Sequence, residues 1–121
     1  MSLVYQESFI VSTADCISQI DSTLPSLLGT YTLVKWMEIV SARNINRDID
    51  TDKYITVGQE VSITHTGSGK PEDEVVIVSR LTHQEKRESY FEIEATIAGK
   101  QIAKATHKRV LMPLRVVQKL I

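Results

Sequence analysis

The sequence predicts an α+β fold in which one long helix lies against an antiparallel β-sheet. Two observations support this prediction. A helical stripe of apolar residues, including Leu33, Val34 and Met37, runs through the segment from about residue 30 to residue 46. After residue 54 the apolar residues change from a helical period to alternation, as in β-strands. One strand before the helix and four after it fit a single helix packed on a sheet.

The segment before the helix is predicted to contain one strand, over residues 4–11. Serine, threonine and aspartate residues at its end favour a short capped turn or helix over 12–20. The stretch 21–29 contains proline and glycine and is predicted to be a loop. Thr30 is a good N-cap residue, so we expect the helix to begin at residue 30 or 31 and to end near Asn46.

Four strands are predicted after the helix, over about 55–65, 75–82, 89–97 and 101–112. The first of them has an apolar side with one polar exception, Gln59; its members are Ile55, Val57, Val61, Ile63 and His65. A turn over 66–73 and a tight hairpin at Ala98-Gly99-Lys100 separate later strands, and Pro113 is expected to interrupt the last one.

Composition and charge exclude several classes of protein. The chain has 121 residues, 42% of them apolar and 24% charged, which describes about one globular domain. Its net charge of -1 gives no general attraction to nucleic acid or to an anionic membrane. No apolar run approaches the roughly 20 residues of a membrane span, and no signal-peptide pattern is present. We therefore expect one domain over 1–121, cytoplasmic, with neither nucleic acid nor membrane as a partner.

A metal site is not expected. Cys16 is the only cysteine, which excludes an internal disulfide and a thiolate zinc cluster. The three histidines are 18 and 24 residues apart and have no HxH or HExxH spacing.

The segment 99–121 has six basic residues and no acidic one. Such a pattern is typical of a solvated strand face. Alternatively, it indicates a local surface for a phosphate-bearing ligand, because a few cations placed together suffice to bind phosphate.

Three side chains could carry chemistry. His65 ends an apolar strand face, so its ring is expected to point toward the helix, either as a satisfied core residue or as part of a site. Thr30, Val34 and Glu38 lie along one side of the helix. Glu38 interrupts an otherwise apolar segment, so its carboxylate lies either at a solvated edge or buried in a site. A hydroxyl, a carboxylate and an imidazole on facing elements can form a general-base or nucleophilic site. His107, in contrast, is expected to be a packing residue.

The order of elements and six short motifs resemble the hotdog fold and, within it, the fluoroacetyl-CoA thioesterase-like family. The resemblance covers roughly residues 12–117, and the order and spacing of the motifs are more specific than any one of them. The motifs are Gly29-Thr30, Leu33-Val34, Met37-Glu38, Thr56-Val57-Gly58, Val61-Ser62-Ile63-Thr64-His65-Thr66 and Ala105-Thr106-His107-Lys108-Arg109.

The resemblance implies an acyl-CoA thioesterase with Thr30, Glu38 and His65 as its catalytic residues. It implies that Gly58 lies near the thioester carbonyl, and we add Val34 and Arg109 as substrate-binding residues. Coenzyme A enters as part of the substrate and crosses a dimer surface, so no cofactor or metal is needed. A homodimer or a tetramer is expected, because an open sheet edge invites pairing.

The sequence also departs from the family. Lys35 and Trp36 are bulkier than expected, which predicts an acyl pocket of different size. The lid segment, residues 17–28, contains no aromatic residue, so we expect a small acyl-CoA other than fluoroacetyl-CoA as the substrate. Glu38 either attacks the thioester or orients water. The alternative function is a non-catalytic acyl-CoA binding or sensing module.

Overall fold

A computed structural model of the protein describes residues 3–121. It contains one five-stranded antiparallel sheet that curves around one long helix, which confirms the predicted α+β class. Two 3-10 turns, Thr13–Asp15 and Ile17–Gln19, precede the helix. The main elements are β1 (Val4–Ile10), α1 (Thr30–Asn46), β2 (Tyr54–His65), β3 (Glu74–Glu85), β4 (Glu88–Ile97), β5 (Lys100–Pro113) and α2 (Leu114–Gln118), and the strand order is β1-β3-β4-β5-β2.

The core lies between α1 and the concave face of the sheet. The buried stripe of α1 is Leu33, Trp36, Met37 and Val40, and it faces apolar side chains of β3, β4 and β5. Burial of each such side chain contributes about 1.5–3 kcal/mol to folding. Trp36 stacks on Phe9 of β1 with ring centroids 4.8 Å apart. This stacking places the bulk of Trp36 in the core.

The helix begins at Thr30 and ends at Asn46, as predicted, but its N-cap is Gly29 and Thr30 is its first helical residue. The Thr30 hydroxyl does not cap the helix; it lies 2.8 Å from Nδ1 of His65. The backbone N–H of Gly29 donates to the carbonyl of Asp15, which fixes the helix start to the preceding turn. The prediction of Thr30 as N-cap is therefore wrong, since its side chain bonds another element.

The predicted alternation along β2 is wrong for the first half of the strand. A β-bulge shifts the register, so that Gly58 pairs with Arg109 of β5 and Glu60 pairs with Lys108. Gln59, the polar exception in the sequence, is the extra residue. Because one inserted residue inverts the facing of a strand, Thr56 and Gly58 point to the helix side together with His65. Ile55 and Val57 lie on the opposite face.

The basic segment 99–121 does not form one cationic surface. Arg109 is buried on the helix side of β5. Lys108 points the other way, where its Nζ lies 3.4 Å from Glu88 and 3.8 Å from Glu60. Lys104 is exposed and pairs in register with Glu94 of β4. Acidic residues of neighbouring strands thus balance much of this charge, which favours the solvated-face interpretation.

Candidate active site

Thr30 and His65 form a hydrogen-bonded pair at one end of the molecule. The pair joins the first residue of α1 to the last residue of β2, with 2.8 Å between the Thr30 hydroxyl and His65 Nδ1. The imidazole is half-buried. Its other nitrogen, Nε2, is buried and has no hydrogen-bond partner among residues 3–121. The pair therefore holds a ring whose free nitrogen is available for proton transfer.

Glu38 lies in a second cluster, farther along the helix. Eight residues separate it from Thr30, which is about 12 Å along the axis of an α-helix. Its carboxylate contacts Gly58, where any Cβ atom would overlap Oε1, and lies 3.8 Å from Nη1 of Arg109. The close approach explains a glycine at position 58. Within one chain, the predicted catalytic residues thus form two groups: Thr30 with His65, and Glu38 with Gly58 and Arg109.

Arg109 is a buried cation with a fixed orientation. Its side chain is 8% exposed, and two of its hydrogen bonds are to Thr56: Nε donates to the hydroxyl and Nη2 to the carbonyl, each at 2.9 Å. Burial lowers the pKa of the Arg109 guanidinium, and the nearby Glu38 carboxylate opposes that effect. A guanidinium stays charged in such a site, so Arg109 is a fixed positive charge beside Glu38.

His107 bonds the guanidinium from the same strand. Its Nδ1–H donates to the carbonyl of Glu60 at 2.8 Å, and its Nε2 lies 3.1 Å from Arg109 Nη1, from which it accepts. Both ring nitrogens are satisfied only when the imidazole is neutral. Burial is the main cause that lowers the pKa of His107, and the charge of Arg109 acts in the same direction. The residue is buried, as expected of packing, but it also connects β2 to Arg109.

The sequence contained one signal for this second cluster. Every second residue from Ala103 to Arg109 is buried on one side of β5, and His107 and Arg109 continue the series that Ala103 and Ala105 begin. A charged residue in that series must find partners inside the protein.

Val34 and Lys35, two other residues singled out from the sequence, lie near these clusters. Val34 is half-buried on α1 between the two clusters. Lys35 lines an open groove with Ile39, Ala42 and the side chains of Glu38 and Arg109. Lys35 is therefore near the second cluster, whereas the bulky Trp36 is not.

The lid segment, residues 17–28, is held at both ends. Cys16 and Leu28 form an isolated β-bridge, and the N–H of Leu28 donates to the carbonyl of Gly69. The middle of the segment exposes Ile20, which is 70% accessible. Although the lid has no aromatic residue, Tyr31 from the first turn of α1 reaches it and donates a hydrogen bond to the carbonyl of Cys16.

Residues 3–121 contain neither a membrane-spanning helix nor a metal-binding cluster. No helix in that range has the length and apolar content to cross a bilayer. Nor does any group of three or more histidine, cysteine, aspartate or glutamate side chains in that range have the arrangement of a metal site.

Comparison with known proteins identifies the family. A family model described as fluoroacetyl-CoA-specific thioesterase matches residues 11–115, which is most of the chain. The chain belongs to this family. It is accordingly an acyl-CoA thioesterase, and the resemblance read from the short motifs is confirmed. No curated protein sequence matches the chain.

Solved structures show the same fold at low sequence identity. A thioesterase superfamily member from Thermus thermophilus has a TM-score of 0.90 and 21% identity, covering 98% of this chain and 88% of that one. A fluoroacetyl-CoA-specific thioesterase mutant in complex with fluoroacetate and CoA has a TM-score of 0.88 and 19% identity, covering 97% and 98%. A hot-dog-like protein from Thermanaerovibrio acidaminovorans has a TM-score of 0.88 and 13% identity, covering 98% and 87%. The predicted hotdog fold is thereby confirmed.

Proposed function

We propose that this thioesterase hydrolyses a small acyl-CoA with Thr30, Glu38 and His65 as its catalytic residues. The observation that carries the proposal is the hydrogen bond between Thr30 and His65. That bond fixes the imidazole at the start of α1, and the partnerless Nε2 leaves one nitrogen for a reacting molecule. The Glu38 carboxylate, beside the Arg109 cation and against Gly58, supplies the second functional group.

In the proposed chemistry His65 transfers protons, backbone groups stabilise the oxyanion, and Glu38 assists the attack. With Nδ1–H donating to Thr30, His65 Nε2 carries a lone pair and can take a proton from water as its oxygen attacks the thioester carbon. The C–S bond then breaks, and the imidazolium returns the proton to the coenzyme A thiolate. The N-terminal end of α1 and a backbone N–H near Gly58 stabilise the oxyanion. Glu38 orients the water or attacks first to form an anhydride that water hydrolyses.

A homodimer reconciles the two separated clusters. Strand β2 lies at one edge of the sheet, and no other strand within residues 3–121 pairs with its outer side. An exposed edge strand of 12 residues is a template for pairing with another chain. We therefore propose that two copies join through β2 about a two-fold axis.

The residue positions on β2 favour this arrangement. In a two-fold antiparallel pair whose axis passes through Ser62, and with Gln59 again as the extra residue of the bulge, residue 65 of one copy lies opposite residue 58 of the other. Opposite residues in an antiparallel pair share a face and have Cβ positions about 5 Å apart. His65 and Gly58 both point to the helix side, as this pairing requires. The His65 of one copy would then face the Glu38 of the other.

The proposed substrate is an unsubstituted short acyl-CoA. A related thioesterase binds fluoroacetate and CoA, which supports coenzyme A as the common part of the substrate. The lid of this protein presents aliphatic side chains such as Ile20, with only Tyr31 as an aromatic neighbour. Such a lid offers apolar contact to an acyl chain and no obvious preference for fluorine.

The decisive experiment measures free thiol released from acetyl-, propionyl-, butyryl-, hexanoyl- and fluoroacetyl-CoA. We expect turnover of at least one unsubstituted acyl-CoA by the wild type, and a loss of about 10²–10⁴-fold in kcat for both His65→Ala and Glu38→Gln. The matched control is Thr64→Val, which changes the neighbouring exposed residue of β2. Near-wild-type turnover by either site variant would refute the proposed residues. Bound but intact thioester in every case would instead indicate the non-catalytic binding module.

A further inference from the structure

His107 is a buried titratable side chain that the proposed chemistry does not use. It is 3% exposed and lies on β5, two residues before Arg109. Its ring joins two elements, since Nδ1 bonds the Glu60 carbonyl of β2 and Nε2 bonds the guanidinium of Arg109. One of these two partners is the guanidinium that lies 3.8 Å from Glu38, which connects the ring to the proposed site.

We propose that His107, as a neutral imidazole, is a positioning residue that directs the Arg109 guanidinium toward Glu38. The inference rests on the proposed function, in which the Glu38 carboxylate acts on the thioester. His107 itself touches neither the substrate nor Glu38 in this assignment; it acts through Arg109.

The hydrogen bonds of Arg109 explain the role. Thr56 accepts from Nε and Nη2 and His107 accepts from Nη1, so three hydrogen bonds hold the planar guanidinium. Nη1 lies between two acceptors, His107 Nε2 at 3.1 Å and Glu38 Oε1 at 3.8 Å. Without the imidazole lone pair, Nη1 would lose its hydrogen-bond acceptor in a buried place, which is costly for a charged donor. The guanidinium would then be held by Thr56 alone and less firmly, and the carboxylate above Gly58 would lose a rigidly placed counter-charge.

Protonation of His107 would disrupt the same arrangement. An imidazolium has no lone pair for Arg109, and its charge would lie against the guanidinium. The groups that face the ring are Arg109 on its own strand, Glu38 from α1, the Glu60 carbonyl from β2 and the uncharged Phe91 from β4. Glu38 is the only one of them that favours the charged ring through its own charge, and it is half-exposed. The neutral ring is consequently the form that supports activity.

The test compares two substitutions of one residue. His107→Gln keeps an acceptor for Arg109, whereas His107→Leu keeps the approximate volume and removes the acceptor. We expect His107→Leu to lower kcat about 10- to 100-fold with KM little changed, because small misplacement of a reacting group has costs of this order. We expect His107→Gln to keep most of the wild-type kcat.

The pH profile provides a readout that packing alone would not change. At low pH the wild type is expected to lose kcat/KM more steeply than His107→Gln, because only in the wild type does protonation of residue 107 remove the acceptor of Arg109 Nη1. Thr56→Val is a second variant, should His107→Leu fail to fold. It removes the hydroxyl acceptor of Arg109 Nε and is expected to lower kcat in the same way, with Thr64→Val as its control.

The outcomes separate this inference from the proposed function. Equal kcat and identical pH profiles for His107→Gln, His107→Leu and wild type, with Glu38→Gln inactive, would overturn the role of His107 alone. An active Glu38→Gln variant would overturn the proposed function first. A rise in KM with kcat unchanged would also contradict a positioning role, since it would indicate contact with the substrate.

Discussion

The Thr30 hydroxyl lies 2.8 Å from His65 Nδ1 and so connects the first residue of α1 to the last residue of β2. This contact bridges 35 positions in sequence and fixes the imidazole beside the N-terminal end of the helix. The N-terminal end of a helix carries a partial positive charge that favours developing negative charge nearby. The same bond that orients the ring thus places it where an oxyanion would be stabilised.

Thr30 is expected to act through its hydroxyl. Thr30→Val removes the bond to His65 while keeping the shape of the side chain, so the ring loses its orientation and kcat falls about 10- to 100-fold. Thr30→Ser keeps the hydroxyl and is expected to retain most activity. Thiol release from the best acyl-CoA measures both. Equal activity of the valine and wild-type proteins would show that the bond has no part in turnover.

A side chain at position 58 is expected to displace the Glu38 carboxylate. A Cβ at position 58 would overlap the Glu38 carboxylate and crowd the ring of His107. Gly58→Ala should therefore displace Glu38 and lower kcat about 10- to 100-fold, as misplacement of a catalytic group does. Gln59→Ala, at the bulge residue next to it, is the control and should remain active. Crystallography of Gly58→Ala would locate the displaced carboxylate; an unmoved one would contradict the explanation.

The interior polar cluster at the other end of α1 is expected to contribute stability alone. Asn44 is 1% exposed, and its amide donates to the carbonyls of Ser79 and Leu3, each at 3.1 Å. Asn44→Ala leaves buried groups without partners, which lowers the free energy of unfolding by about 1–3 kcal/mol. Asn46→Ala, at the exposed end of the helix, should change it by less than about 0.5 kcal/mol. Urea unfolding measures both, and equal values would contradict the role of the cluster.

The stability of the protein should depend on His107 below neutral pH. Burial lowers the pKa of His107 in the folded state, whereas the unfolded chain takes up this proton near pH 6.5. The unfolded state then binds more protons, so the free energy of unfolding falls as pH drops below about 6.5, by at most about 1.4 kcal/mol per pH unit for this group. The contribution is constant above that range.

Urea unfolding at pH 5 and pH 8 tests this dependence. His107→Gln cannot take up the proton, so its loss of stability between the two pH values should be smaller than that of the wild type. His83→Gln is the matched control, because it removes a histidine whose side chain is 59% exposed instead of a buried one. Equal pH dependence of the wild type and His107→Gln would exclude His107 as the cause.

The sequence predicted the elements better than the facing of their side chains. The helix over Thr30–Asn46 follows from its apolar stripe, and the hairpin turn from Ala98 and Gly99, whose φ angles are +50° and +78°. The bulge at Gln59 could not be read from alternation, because the extra residue inverts the pattern without leaving a glycine or proline at its own position. Long-range partners such as Thr56 for Arg109 depend on that bulge. Glu38, Gly58 and Arg109 were therefore predicted as site residues, but their contacts with one another were not foreseen.

The composite dimer predicts that two inactive variants restore activity when mixed. His65→Ala keeps Glu38, and Glu38→Gln keeps the Thr30–His65 pair, so a heterodimer of the two has one intact site if each site uses both copies. After unfolding and joint refolding, half of the dimers are heterodimers, and we expect about a quarter of the wild-type activity. Size-exclusion chromatography with light scattering verifies the dimer in each sample. If Glu38 and His65 of one copy serve the same site, every site in the mixture lacks one of them, and mixing restores nothing.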